Sequence, residues 1–136
     1  MNRVVISKVQ SLQRCVLRAR EEFSLAGDGF LQDFSRQDAA VLNIVRACEL
    51  AIDLANHLIS KRKLGIPSTN RDSFEILCEQ GLIPKDLCAS LYDMVGFRNV
   101  AVHTYQKLDL NIVIDVIQNR LDDVLQFTDV VLDLSD

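Results

Sequence analysis

Residues 43–59 read NIVRACELAIDLANHLI, and this stretch decides the fold. Ile44, Cys48, Ile52 and Ala55 recur at helical spacing, while Val45, Leu54, Leu58 and Ile59 widen that row into a broad apolar arc. A helix apolar over so wide an arc must be packed on several sides. It is therefore expected at the centre of a bundle and against a second copy of the chain, as a homodimer. Its start is expected near Arg36 to Asp38 and its end near Lys63, with Gly65 and Pro67 supplying the stop.

Working outward, Val5, Val9, Leu12, Val16, Ala19 and Phe23 alternate steps of four and three, the stripe of a first helix that the run Ala26-Gly27-Asp28-Gly29 ends. Downstream, Asp72 or Ser73 can cap a short helix through Phe74, Ile76, Leu77 and Gln80, stopped by Gly81. Pro84 opens a further helix at the first-turn position, through Leu87, Leu91 and Met94 toward Gly96. A last helix begins near Asp109 and carries Val113, Val116, Ile117, Leu121, Val124, Leu125, Thr128, Val131 and Leu132.

With 136 residues, two prolines, five glycines and no sustained period-two alternation, the chain is expected to be one all-α domain over residues 1–136. The architecture expected is an antiparallel bundle of four to five helices. A formal net charge of −4 repels polyanions overall, so any nucleic-acid contact must come from a local patch. That excludes a general nucleic-acid-coating protein more firmly than an enzyme gripping a few phosphates. Cys15, Cys48, Cys78 and Cys88 lie far apart with no CxxC, suggesting neither a zinc site nor a redox pair, and they are expected to act as small buried hydrophobes. The N-terminal MNRVVISKVQSLQRC has charges throughout, and no run approaches the ~18 apolar residues of a membrane span. A cytoplasmic protein with no membrane partner is expected.

One segment carries chemistry: RNVAVHTY, Arg98 to Tyr105. Arg can hold a phosphate in a planar fork of charge-assisted hydrogen bonds, His can move a proton near neutral pH, and a Tyr hydroxyl can donate, accept or be modified. On an ideal helix Arg98 and His103 point about 140° apart and lie about 7.5 Å apart along the axis, so they do not share a face. Either the helix ends between them, or Arg98 curls back, or a two-fold dimer sets the motifs of both subunits around one phosphate.

MVGFRNVAVHTY, residues 94–105, resembles the R-x4-H-x-Y signature of HepT-type proteins in the HEPN superfamily, with a polar residue, Asn99, directly after the Arg as in that family. RACELAIDLANHLI and RDSFEILCEQGLI resemble the family's central and third helices, so the similarity spans nearly the whole chain. The resemblance implies a homodimeric, metal-independent endoribonuclease, the toxin of a type II/VII-like toxin–antitoxin module. It implies as partner an MNT-type minimal nucleotidyltransferase antitoxin that adenylylates the toxin, RNA as substrate, and no cofactor or metal. Carried onto this chain, it makes Arg98, Asn99 and His103 catalytic and Tyr105 the adenylylation site. Many relatives have Gly where this chain has Thr104, which bears on the local turn.

The chemistry of the side chains fits. The 2′-hydroxyl of RNA is an internal nucleophile, so His103 need only handle protons while Arg98 meets the developing charge and Asn99 orients substrate or His. The products expected are a 2′,3′-cyclic phosphate and a 5′-hydroxyl. Structural roles are the alternative for these residues: Arg98 capping carbonyls, His103 hydrogen-bonded in place, Tyr105 packed beneath the last helix. A non-catalytic HEPN-like nucleotide-binding or docking subunit of a minimal nucleotidyltransferase is the alternative function. His57 is expected to be structural or interfacial, Glu49 and Asp53 to lie on a solvated face or behind the site, and Lys61-Arg62-Lys63 to complement the end of their own helix.

Overall fold

The computed structural model describes residues 2–135, and among these there are six α-helices and no strand. α1 (Arg3–Ala26) and α2 (Phe34–Arg62) are joined by a 3₁₀ turn (Gly27–Gln32), and α3 (Asn70–Glu79) and α4 (Lys85–His103) follow. A second 3₁₀ turn (Tyr105–Lys107) leads to α5 (Leu110–Asp115), which runs through a π-helical turn (Val116–Arg120) into α6 (Leu121–Leu134). The last two helices thus continue one another, and the chain is the all-helical bundle expected. Nothing in the residue spacing forecast the π turn, where the N–H of Leu121 reaches back to the carbonyl of Val116.

Side-chain caps start α1, α2, α3 and α5. Asn2 accepts from the N–H of Val4 at 2.9 Å, Asp33 from Arg36 at 3.0 Å, and Asp109 from Asn111 at 2.8 Å. α2 begins at Phe34, slightly earlier than expected, because Asp33 takes the cap. α3 is capped by Thr69 rather than by Asp72 or Ser73. In the polar run from Ser68 to Ser73 several residues can cap, and burial of Phe74 and Leu77 selects the register in which Asp72 turns back to the Ser68 N–H and Ser73 is enclosed, donating to Asn56 Oδ1 at 2.6 Å. The stop of α2 likewise falls at Lys63, not Gly65: Lys63 adopts φ 55° and ψ 47°, and Leu64 N–H closes the turn on the Ile59 carbonyl at 3.0 Å. Pro84 is the N-cap of α4, one position before its first helical residue.

α2 packs against α1, α3, α4 and α6. Its buried alanines, Ala40, Ala47, Ala51 and Ala55, let neighbouring backbones approach, and Ile44, Leu54, Leu58 and Ile59 fill the space around them. The stripe of α1 is buried from Val5 to Ala19, with Phe23 edge-on to Phe30 at 5.0 Å between centroids. The apolar arc of α2 is thus covered almost entirely within the chain, and the exposed large apolar residues of the helix, Phe34 and Leu42, lie before that arc. A second copy is not needed to cover it. Lys61 and Arg62 serve a neighbour rather than their own helix alone, donating to the carbonyls of Ser135 (3.0 Å) and Leu134 (2.9 Å) at the end of α6.

Cys78 and Cys88 depart from the expectation of four separate thiols: they are joined by a disulfide, with Cα atoms 6.2 Å apart. The α3–α4 connection turns at Gly81, φ 72°, and sets the last turn of α3 beside the first turn of α4, a proximity that sequence spacing does not reveal. Cys48 remains a buried thiol and Cys15 a half-buried one. Among the described residues, no cluster of His, Cys, Asp and Glu could hold a metal ion, and no helix is long and apolar enough to cross a membrane.

Replacing Leu54, fully enclosed at the centre of α2, by Ala should cost about 2–5 kcal/mol in urea unfolding. Leu17→Ala on the exposed side of α1 should stay within about 0.5 kcal/mol.

Candidate functional site

α4 buries Leu87, Leu91, Met94, Phe97 and Ala101, and Arg98 lies at the edge of that face, toward α2. The helix is unbroken through His103, so Arg98 and His103 are not brought together by a helix end between them. Arg98 does not curl back to His103. Its side chain, 19% exposed, sets Nε 3.6 Å from Glu49 Oε1 on α2, an ion pair too long for a hydrogen bond. Its Nη1 donates to Asn99 Oδ1 at 3.2 Å. Asn99 and His103, one turn apart, are both exposed and share the outward stripe of α4. The motif is therefore divided. The guanidinium is held against α2, while the amide and the imidazole face away from the bundle.

Cys48 is enclosed beside this ion pair, with Sγ 3.7 Å from the Met94 carbonyl. Desolvation, reinforced by the negative charge of Glu49, pushes its thiol up to about 12, so it is an inert packing group. Asp53, one turn beyond Glu49, pairs instead with Lys8 at 3.3 Å. The second histidine, His57, accepts at Nε2 from Asn2 Nδ2 at 3.0 Å and ties the start of α1 to α2, a structural role as expected.

Thr104 ends α4 with φ −141° and ψ 52°, a negative φ open to any residue, so no glycine is required there. Its N–H closes on the Val100 carbonyl at 2.9 Å, and the chain turns through Tyr105–Lys107. This turn places Tyr105, 44% exposed, in a cleft between α2 and α4 lined by Asp38, Val41, Leu42, Val45, Ala101 and Val102. The Tyr105 hydroxyl donates to Asp38 Oδ1 rather than pointing to Arg98. Partial desolvation and then the Asp38 carboxylate push the phenol up to about 12. Asp38 and Glu49 are the site residues that sequence reasoning undervalued. Asp38 lies 67 positions from Tyr105, and no local pattern links them.

A larger cleft of about 500 Å³ lies between α4 and α5, bounded by Phe97, Val100, Leu108, Ile112 and Arg120. Neither Arg98 nor His103 lines it.

The sequence profile described as "Ribonuclease HepT-like" matches residues 12–131. The chain belongs to the HepT-like ribonuclease family. It is 46% identical over 133 residues to the mRNA nuclease HepT of Shewanella oneidensis, spanning 96% of this chain and 98% of that protein. It is 25% identical over 108 residues to the tRNA nuclease HepT of Aphanizomenon flos-aquae, 79% of this chain and 74% of that one. Among solved structures, the tri-AMPylated Shewanella oneidensis HEPN toxin in complex with MNT antitoxin superposes with a TM-score of 0.92 at 44% identity, over 98% of this chain and 99% of that chain. A toxin–antitoxin with AMP-PNP matches with a TM-score of 0.91 at 44% identity, over 96% of this chain and 99% of that chain. A HepT-like all-helical fold is thus established over nearly the whole chain.

The phenol offers a direct check. Because folding raises the Tyr105 pKa above its ordinary value near 10, the associated stability is complete below that value and is lost as pH rises toward about 12. Ultraviolet difference titration should show one tyrosine ionising near pH 12, and Asp38→Asn should move it part of the way back, since desolvation, the larger cause, remains.

Proposed function

We propose that this protein is the toxin of a toxin–antitoxin module: a metal-independent endoribonuclease that works as a homodimer and is silenced when an MNT-type nucleotidyltransferase antitoxin adenylylates Tyr105. The relatives support the broad reading, being an mRNA nuclease, a tRNA nuclease and an AMPylated HEPN toxin bound to an MNT antitoxin. The observation that carries the finer reading is the division of the motif on an unbroken α4, with Arg98 against α2 and His103 facing outward. Within one chain Arg98 is held toward α2 while His103 is exposed, and two chains related by a two-fold axis, each presenting Asn99 and His103 toward the other, would set both groups around a single phosphate.

In that arrangement His103 removes the 2′-hydroxyl proton or protonates the leaving 5′-oxygen, and Arg98 meets the charge that develops on phosphorus. Asn99, already hydrogen-bonded to Arg98, holds the guanidinium and a phosphate oxygen in register. The 2′-oxygen attacks phosphorus, the bond to the 5′-oxygen breaks, and a 2′,3′-cyclic phosphate is left. Because the nucleophile belongs to the substrate, no activated water is needed. An adenylyl group on Tyr105 adds bulk and negative charge on the α2 side of α4, opposing entry of an RNA phosphate.

His103→Ala and Arg98→Ala should each lower cleavage of an RNA pool by about a hundredfold or more with the thermal melt unchanged, and cleavage should survive EDTA. Tyr105→Phe should take up no AMP mass from ATP and the cognate nucleotidyltransferase. A purified protein that cuts no RNA, or cuts only with added metal, would sink the mechanism.

A further inference from the structure

The hydrogen bond from Tyr105 to Asp38 joins two exposed residues across the α2–α4 cleft, and the nuclease chemistry gives it no task. The rest of the cleft is Val41, Leu42, Val45, Ala101 and Val102, so Asp38 is the proton acceptor at the phenol among the described residues that line it. We propose that Asp38 is the general base for adenylylation of Tyr105, so that the toxin itself supplies the group that activates its hydroxyl for inactivation.

This inference rests on Tyr105 being the adenylyl acceptor. In the step, Tyr105 Oη attacks the α-phosphorus of magnesium-ATP presented by the nucleotidyltransferase. The Oη–phosphorus bond forms, the bond from the α-phosphorus to the oxygen bridging it to the β-phosphate breaks, and pyrophosphate leaves with the electron pair. The phenolic proton passes to Asp38 Oδ1 and from there to solvent. A base is needed because the free phenol hardly ionises: raised to about 12, it is anionic in only about one molecule in 10⁵ near neutral pH. No other charged group contributes to that shift. The geometry meets both needs of the reaction. The phenol is open enough at 44% exposure for a triphosphate to reach Oη, and its proton already points at the carboxylate.

The test follows the rate of AMP addition to the full-length protein by intact mass, using the purified cognate nucleotidyltransferase and magnesium-ATP. Asp38→Asn keeps an acceptor oxygen and removes the base. It should lower kcat for modification by about a hundredfold or more with little change in KM for the toxin. Wild-type modification should vary little from about pH 7 to about pH 9, whereas the Asn variant, left to hydroxide, should speed up about tenfold per pH unit. Asp38→Glu, which restores a carboxylate, should recover much of the rate, separating lost chemistry from a disturbed fold. An Asn variant modified at the wild-type rate with the wild-type pH profile would overturn the proposal. So would one modified faster, which would make Asp38 a clamp that protects the phenol. If wild-type protein gains no AMP at Tyr105, the reading of Tyr105 as acceptor fails and takes this inference with it. If wild type is modified and the Asn variant equals it, only the role of Asp38 fails.

Discussion

Packing around α2 is the constraint on which the rest of the structure depends. Four helices lean on it, and its alanines admit them closely enough that its apolar arc is consumed by the chain itself. What remains is an exposed stripe, Asp38, Leu42, Arg46, Glu49 and Asp53, spaced so that these side chains follow one another along the helix. α4 packs alongside and brings Arg98 opposite Glu49, and the turn beyond it brings Tyr105 opposite Asp38. The site is thus a consequence of where α2 has no apolar surface left to bury.

The electrostatics of the two contacts differ. Glu49 is half exposed and 3.6 Å from Arg98, so the pair contributes about 1 kcal/mol or less to stability and leaves guanidinium donors open to a second anion. The Asp38 contact is a hydrogen bond to a neutral phenol, and it holds that phenol protonated. One carboxylate restrains a cation in position, and the other fixes the direction of a proton.

The helices and the motif were legible in the sequence because both are local. The stripe from Val5 to Ala19, the wide arc of α2 and the stop at Gly81 depend on spacing that a single helix or turn imposes, and the structure keeps all three. Arg98, Asn99 and His103 were visible for the same reason. The failures are those of choice or of distance. Thr69 prevailed over Asp72 and Ser73 as a cap because burial of Phe74 and Leu77 set the register. Lys63 took the left-handed position ahead of Gly65 because the helix ran out of buried partners there. The Cys78–Cys88 bond and the Asp38–Tyr105 contact are made by folding, and no periodicity encodes a pair that packing alone brings together. Covering α2 from within the chain was missed for a related reason: a wide apolar arc reports how many neighbours a helix needs, not which chain provides them.

The contact at Asp38 also bears on what a new anion would meet in the cleft. Arg98 and Tyr105 are held by different parts of the structure: Arg98 projects from α4 toward Glu49, whereas Tyr105 lies in the turn beyond the helix end and reaches Asp38. A phosphodiester formed on Tyr105 Oη would be an anion placed against the Asp38 carboxylate, and like charges at hydrogen-bond distance repel. The cleft wall of Val41, Leu42 and Val45 offers it no counter-charge. The carboxylate that orients the phenol would thus also push such a group out of the cleft. With Asp38 as the proposed base, its position would matter twice, first in removing the phenolic proton and then in driving the charged product out of the cleft.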